Sequence, residues 1–383
     1  MINIPIEPEI TEYLHRKATR LRIPLNGTFE LTPLCNMDCK MCYVRMSKEQ
    51  QESVRPLRTA GEWLELGKRA KENGMIYLLI TGGEPFLRPD FQEIFQGLHR
   101  MGFIVSINSN GTMIDEKTIE WLKQTPPIRI NMTLYGASDE TYGRLCGNPK
   151  GFTQVTKAIR LLKEAGITVK LNCSVTPYNA HDLEAMFAFA RKEGLLIQAT
   201  SYMFPPLRKS KEMIGKNDRF TPEEAARYSA KIDLLSGGEE RFLEKMKTGD
   251  WSSVSMDNTE DCREPEGEGI RCRAGRCSFW ITWDGRMLPC GMLVADNAPD
   301  VFEWDFAKAW EYTMEQAEMI RLPGKCTGCE LKEKCRACAA MVLTESGNYS
   351  DVPQYRCRMS KCYPGACKEL EKKLLEKRAG GIL

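Results

Sequence analysis

Between residues 28 and 202, short apolar runs alternate with longer stretches in which apolar positions recur every three or four residues. Thr28 to Thr32 predicts a strand, and Gly61 to Asn73 a helix with Trp63, Leu64, Leu66 and Ala70 on one side. Ile76 to Thr81 predicts a second strand, apolar on both faces as a parallel strand covered by helices should be. The order then repeats: helix Pro89 to Met101, strand Ile104 to Ser109, helix Asp115 to Gln124, strand Arg129 to Thr133, helix Phe152 to Ala165, strand Thr168 to Val175, helix Ala180 to Glu193, strand Leu196 to Tyr202. This alternation implies βαβ units on a parallel α/β sheet, and an open sheet and a partial barrel both fit it.

Beyond Phe204 the periodicity weakens. The run PPLRKSKEMIGKNDR reads as a loop, and Thr221 as the N-cap of a helix beginning PEEAAR, so residues 206–271 are expected to form a helical connector. From Cys272 the chain changes character. FWITWDGRMLPC predicts a hairpin turning at Asp284-Gly285; Phe302 to Ile320 reads as helical, as does the charged ELEKKLLEKR near the end. Residues 1–27 are expected to be an N-terminal helical segment.

The 383 residues are 42% apolar and 28% charged, and 54 Lys+Arg against 52 Asp+Glu leave a net charge of only +2. That balance argues against nucleic-acid or anionic-membrane binding driven by bulk charge. There is no apolar run of the roughly 18 residues that a membrane helix needs, and the N-terminal stretch lacks the apolar region of a signal peptide. A cytoplasmic, reducing location is therefore expected, and in it 16 cysteines are better explained by metal or catalytic thiolates than by disulfides.

Their positions sharpen the reading. Three stand at 35, 39 and 42, two at 146 and 173, and eleven between 262 and 367. The spacing Cys35-x3-Cys39-x2-Cys42, directly after the first strand, can hold three corners of a cubane iron–sulfur cluster and leave one iron open to a ligand. A zinc knuckle lacking its fourth ligand, or free thiols, is the bland alternative. The three histidines, His15, His99 and His181, stand in no motif, which speaks against a Ser-His or Cys-His hydrolase.

This motif, followed by Thr81-Gly82-Gly83-Glu84-Pro85 at the end of the second strand, resembles the radical S-adenosylmethionine (SAM) superfamily. The resemblance implies a partial (β/α)6 TIM-like barrel over residues 28–205. It implies that Gly82, Gly83 and Glu84 hold the amino group of SAM while its methionine moiety chelates the open iron. Glycines let a backbone approach a ligand, and a carboxylate suits an ammonium. By the same resemblance Thr133 would meet the ribose, Arg144 the SAM carboxylate and Met41 the adenine, where an aromatic residue is more usual. Tyr135 replaces the family's usual Asp, and Asn110-Gly111-Thr112 matches an Asn-Gly-Thr turn read first as structural.

The C-terminal spacing Cys272-x4-Cys277-x12-Cys290, then Cys326-x2-Cys329-x5-Cys335-x2-Cys338 and Cys357, resembles the SPASM extension, expected over residues 272–383 with two auxiliary 4Fe-4S clusters. Cys272, Cys277, Cys290 and Cys338 would ligate one, and Cys326, Cys329, Cys335 and Cys357 the other. The family more often has three residues before the position of Cys338, which makes Cys362 its nearest substitute. Zinc remains the alternative for the paired C-x2-C motifs. Cys146, Cys173, Cys262, Cys362 and Cys367 are unassigned; a buried small hydrophobe is the common fate of such residues, and Cys146, beside Arg144, is a candidate substrate-facing thiol.

Enzymes of this kind mostly crosslink or oxidise peptides, so the resemblance implies a peptide maturase using SAM and three 4Fe-4S clusters, reduced by a partner such as flavodoxin or ferredoxin. Sulfatase maturases carry an Asp directly after the third cysteine of the extension, whereas Gly291 follows Cys290 here. Only 34 residues precede Cys35, below the roughly 40 at which a domain usually stands alone, so leader binding is expected from a separate protein or the barrel surface. The rival readings are a small-molecule or tetrapyrrole modifier of the haem-branch type and a non-catalytic zinc-binding module.

Overall fold

The computed structural model describes residues 9–249 and 269–380. Cys262 and part of the expected connector lie outside them. Six strands follow the predicted order: β1 (Asn26–Glu30), β2 (Tyr77–Thr81), β3 (Ile104–Ser109), β4 (Arg129–Thr133), β5 (Val169–Ser174) and β6 (Leu196–Thr200). All pair parallel with their sequence neighbours. Helices Ala60–Glu72, Phe91–Arg100, Glu116–Gln124, Gly151–Glu164 and Leu183–Lys192 connect them. The result is the partial (β/α)6 barrel that the alternation permits.

The predicted hairpin forms as β7 (Ser278–Ile281) and β8 (Met287–Leu288), with Gly285 at φ +93°, a turn position that only glycine adopts cheaply. It is not a detached unit. β7 lies parallel against β1, so one sheet runs β6-β5-β4-β3-β2-β1-β7-β8. The helix after it spans Phe306–Met319, and a helix Glu9–Leu21 precedes β1.

Capping chemistry sets several helix starts. Thr59 and Thr221 both head capping boxes in which a Glu three residues on returns the bond, Glu62 to the Thr59 N–H at 2.8 Å and Glu224 to the Thr221 N–H at 2.9 Å. Helices Lys48–Val54, Asp139–Cys146, Glu239–Thr248 and Ala339–Ser346 were not legible from apolar periodicity. The last helix is much longer than its charged end suggests. It runs Gln354–Gly380 through Pro364 and packs along Pro222–Gly237, so tertiary contact rather than local propensity carries its first half.

The expectation of apolar residues on both faces holds for β2, with Leu78 and Ile80 buried on one and Tyr77 and Leu79 half-buried on the other, and does not extend to the strands after it. The helix-facing side of the sheet is apolar and buried, with Phe29, Leu78, Ile80, Val105, Ile107, Ile130, Met132 and Leu171 packed against Trp63, Leu66 and Phe95. From β3 onward the other side is polar. It presents Asn108, Asn131, Lys170, Asn172 and Gln198, with Asn108 opposite Asn131, Asn131 opposite Lys170 and Asn172 opposite Gln198. Strands that enclose a polar lumen alternate, and those of this barrel do from β3 onward.

Candidate active site

The cysteine loop leaves the C-terminal end of β1 and is fixed from two directions. A helix leaves its last carbonyls without partners inside the helix, and those of Asp139–Cys146 accept from this loop: Asp38 N–H bonds Cys146 O at 2.7 Å and Lys40 N–H bonds Leu145 O at 3.1 Å. From the other side comes the turn after β2, where the Gly83 N–H bonds Thr32 O at 2.6 Å and the Glu84 N–H bonds Leu34 O at 2.9 Å. A Cβ on Gly82 would stand 2.6 Å from Thr32 O, and one on Gly83 2.3 Å from Leu34 O. The two glycines therefore admit the chain that launches the cysteine loop, where the sequence suggested only that they admit a ligand.

Glu84 is wholly buried. It accepts from Ser109 Oγ at 2.9 Å, the Asn110 N–H at 2.7 Å and the Phe86 N–H at 3.1 Å. Burial outweighs these three donors and pushes its carboxyl up to about 7. Asn110 then donates to Asn36 Oδ1 at 2.8 Å and toward Cys35 Sγ at 3.6 Å, and Asn36 donates to Thr112 Oγ1 at 2.8 Å. The Asn-Gly-Thr turn is thus structural, as expected, and what it supports is the cysteine loop.

The three sulfurs suit a metal cluster. Met37 N–H donates to Cys35 Sγ at 3.4 Å and Arg45 N–H to Cys42 Sγ at 3.3 Å, the surroundings of cluster-ligating thiolates. Burial pushes the Cys35 thiol up to about 12 and raises that of Cys42; the Cys146 thiol, then burial, raises that of Cys39. Such thiols release their protons readily only to a multivalent cation. Among the described residues no three Cys, His, Asp or Glu side chains converge on a single ion. A cubane spreads its thiolates over separate irons, so its ligands need not converge on one point.

The other predicted residues fall into distinct places. Thr133 ends β4 with its Oγ1 buried and without a hydrogen-bond partner, an orphan hydroxyl that a ligand would satisfy. Met41 is buried in the main core cluster. Arg144 is exposed, held by His181 Nε2 at 3.3 Å and Glu140 at 3.9 Å. Cys146 is fully buried toward Cys39, which corrects the reading of it as a substrate-facing thiol.

Cys326, Cys329, Cys335 and Cys357 line one cavity with Leu322, Lys332 and Pro353. Cys272, Cys290 and Cys338 pack around a second apolar cluster, with Cys290 and Cys338 within electrostatic reach of each other, whereas Cys277 is buried against Ala18 and Leu25 at the foot of β1. Cys362 lies elsewhere, 4.0 Å from Glu223.

A junction between the two cysteine regions was missed from sequence. Buried Glu30, at the end of β1, accepts both Arg208 nitrogens at 2.7 Å and Trp280 Nε1 at 3.0 Å. Arg208 also reaches Gly291 O at 3.4 Å and lies over the Tyr43 ring at 5.8 Å, the residues directly after Cys290 and Cys42. A carboxylate closing the first strand was the available signal; Arg208, in a loop, carried none.

Residues 29–190 match the family described as the Radical SAM superfamily. The chain is 24% identical to the AdoMet-dependent heme synthase of Methanosarcina barkeri over 85% of this chain and 94% of that protein. It is 25% identical to the PqqA peptide cyclase of Gluconobacter oxydans over 86% and 89%. The structure of Streptococcus suis SuiB bound to precursor peptide SuiA superposes with a TM-score of 0.65 at 18% identity, covering 92% of this chain and 82% of that one. Among the described residues no helix is long and apolar enough to cross a membrane.

Proposed function

We propose that this chain, which belongs to the radical SAM superfamily of enzymes and to its SPASM-type branch, modifies a peptide, forming a crosslink or an oxidised residue. Bound SAM and a reduced 4Fe-4S cluster would supply a 5′-deoxyadenosyl radical able to take hydrogen from an unactivated carbon. Cys35, Cys39 and Cys42 would hold that cluster, and two auxiliary clusters on the eight C-terminal cysteines would take up the electron released by the substrate. Gly82, Gly83 and Glu84, beside the cysteine loop, would hold the amino group of SAM, Thr133 would offer its orphan hydroxyl to the ribose, and Met41 would back the adenine. Arg144 would have to leave His181 and Glu140 to reach a carboxylate. Flavodoxin or ferredoxin is the proposed electron source, and a separate protein the proposed holder of a leader.

The polar inner face of the sheet carries the peptide reading. Asn131 donates to Asn108 Oδ1 at 2.9 Å and Lys170 to Gln198 Oε1, and the amide capacity left on Asn108, Asn172 and Gln198, with the Asn131 Oδ1 buried without a partner, is the pattern that a peptide main chain can answer. A tetrapyrrole would instead ask for a broad apolar wall. The second reading, a haem-branch modifier, is favoured by the heme synthase likeness over most of both chains.

The test is anaerobic reconstitution, followed by iron and sulfide counts and an assay of 5′-deoxyadenosine formed from SAM with dithionite. About twelve irons per chain with deoxyadenosine release are expected. Replacing Cys35, Cys39 and Cys42 by Ala should abolish release and leave the auxiliary iron bound; persistent release would overturn the assignment. A short peptide encoded beside the gene should lose two hydrogens per turnover, whereas turnover of a tetrapyrrole with no change in the peptide would select the second reading.

A further inference from the structure

Cys39 sits between two backbone bonds to the same helix end, Asp38 N–H to Cys146 O at 2.7 Å and Lys40 N–H to Leu145 O at 3.1 Å. These clamp the loop and the helix at main-chain bonding distance on both sides of Cys39. A disulfide needs its Cα atoms within about 4.4–6.8 Å of each other, a proximity that main-chain bonds on both sides of Cys39 favour. The two side chains join the same core cluster, and the Cys146 thiol exerts the largest influence on that of Cys39. Their accessibility differs. Cys39 is half-buried, whereas Cys146 is completely enclosed beneath it. Cys146 matches no cluster motif, so in the reading above it has no task.

We infer that Cys146 is a resolving thiol for Cys39, closing a Cys39–Cys146 disulfide whenever the loop carries no iron and a small-molecule disulfide or comparable thiol oxidant is present. The chemistry balances with oxidised glutathione as that oxidant. The small fraction of Cys39 that has lost its proton attacks one glutathione sulfur, slowly because its pKa is raised, the S–S bond breaks, and one glutathione leaves as thiolate. Cys146, losing its proton, then attacks the Cys39 sulfur and expels the second glutathione. Two protein thiols are oxidised and one glutathione disulfide is reduced to two thiols. Only Cys39 need meet the reagent, since the enclosed Cys146 acts from within. A sulfur held in this bond cannot bind iron, and it is also shielded from irreversible oxidation to sulfinic acid. The disulfide itself stands on the contact alone; its consequence for cluster loading rests on Cys39 being a cluster ligand.

The experiment treats iron-free full-length protein with oxidised glutathione, alkylates the remaining thiols and maps peptides by mass spectrometry without reduction. A peptide linking Cys39 to Cys146 is expected as the main product. Cys146→Ser should instead stop at a glutathione adduct on Cys39, while Cys173→Ser, at a buried cysteine whose sulfur lies 3.7 Å from that of Met186, should behave as wild type. A link from Cys39 to Cys35 or Cys42, or a lasting Cys39 adduct in the wild type, would overturn the proposal. The wild-type map decides even if Cys146→Ser fails to fold. Iron uptake by the oxidised wild type should then require prior reduction by a dithiol. Uptake without reduction, despite a mapped Cys39–Cys146 link, would count against Cys39 as a ligand and leave the disulfide standing.

Discussion

The Glu84 carboxylate accepts the Asn110 N–H at 2.7 Å, and the carboxamide of the same Asn110 reaches the cysteine loop at Asn36 and Cys35. The ends of β2 and β3 and the loop after β1 are thereby joined through one buried acid. Its carboxyl is pushed from 4.5 up to about 7 by burial, so the folded chain binds a proton that the unfolded chain has already released. Between those two values the native state holds more protons, and stability must fall as pH rises from about 4.5 to about 7, then level off. At about 1.4 kcal/mol per unit the full effect is on the order of 3 kcal/mol. Denaturant titrations of iron-free protein across that window should show the slope, and Glu84→Gln should flatten it whatever it does to the absolute midpoint. An unchanged slope in the variant would remove Glu84 as its source.

The close approach at Gly83 makes a second prediction. In Gly83→Ala the new methyl meets the Leu34 carbonyl at 2.3 Å, and backbone cannot step aside as a flexible side chain can. We expect a loss of about 1–3 kcal/mol together with poor iron loading, because the displaced segment leads directly into Cys35. Gly61→Ala is the contrast. Nothing lies within 4 Å of that site on the helix Ala60–Glu72, and the added helix propensity should stabilise by up to about 1 kcal/mol. Equal iron content in the two variants would sink the link between this turn and the loop.

The order of strands and helices was readable in the chain because each strand–helix step repeats one local signal. Its limits lie where local signal and final environment part. Asn108, Asn131 and Asn172 sit in strands that hydrophobic runs announce, and only the curled sheet gives them an inner face. The start of the helix Gln354–Gly380 is hidden by Pro364 and polar residues, and contact with Pro222–Gly237 overrides them. The cysteine loop and the turn at Gly82 to Glu84 could be picked out from spacing. That those glycines also make room for Thr32 and Leu34 could not, since these reach them only in three dimensions. The pairing of β7 with β1, and the Glu30–Arg208 junction that it shelters, depend on contacts far apart in sequence and leave no periodic trace.

That junction predicts a non-additive pair. Glu30 is 1% exposed and takes both guanidinium nitrogens at 2.7 Å, so Glu30→Gln strands a buried cation and should cost about 3–5 kcal/mol. Replacing both partners, Glu30→Leu with Arg208→Met, removes the charges together and should recover most of that loss. A double-mutant cycle by chemical denaturation measures the coupling; additive single effects would mean that the pair contributes no more than an exposed salt bridge.

The hydroxyl of Thr133 separates binding from folding. Its oxygen is buried at the end of β4 without a partner, a position that costs the ligand-free protein stability and gains a ligand that supplies a donor or acceptor there. Thr133→Val keeps the shape and removes the polar atom. Without ligand, its thermal midpoint should therefore stay level or rise. If the hydroxyl meets the ribose of SAM as proposed, the same variant should bind SAM about 5- to 100-fold more weakly, the equivalent of about 1–3 kcal/mol. Calorimetric titration with SAM on reconstituted protein reads that affinity directly. The two effects have opposite sign, which a general packing defect cannot produce, since a defect would lower the midpoint and the affinity together. An unchanged affinity would assign the orphan oxygen to water or to the peptide and move the ribose to another residue on the inner face.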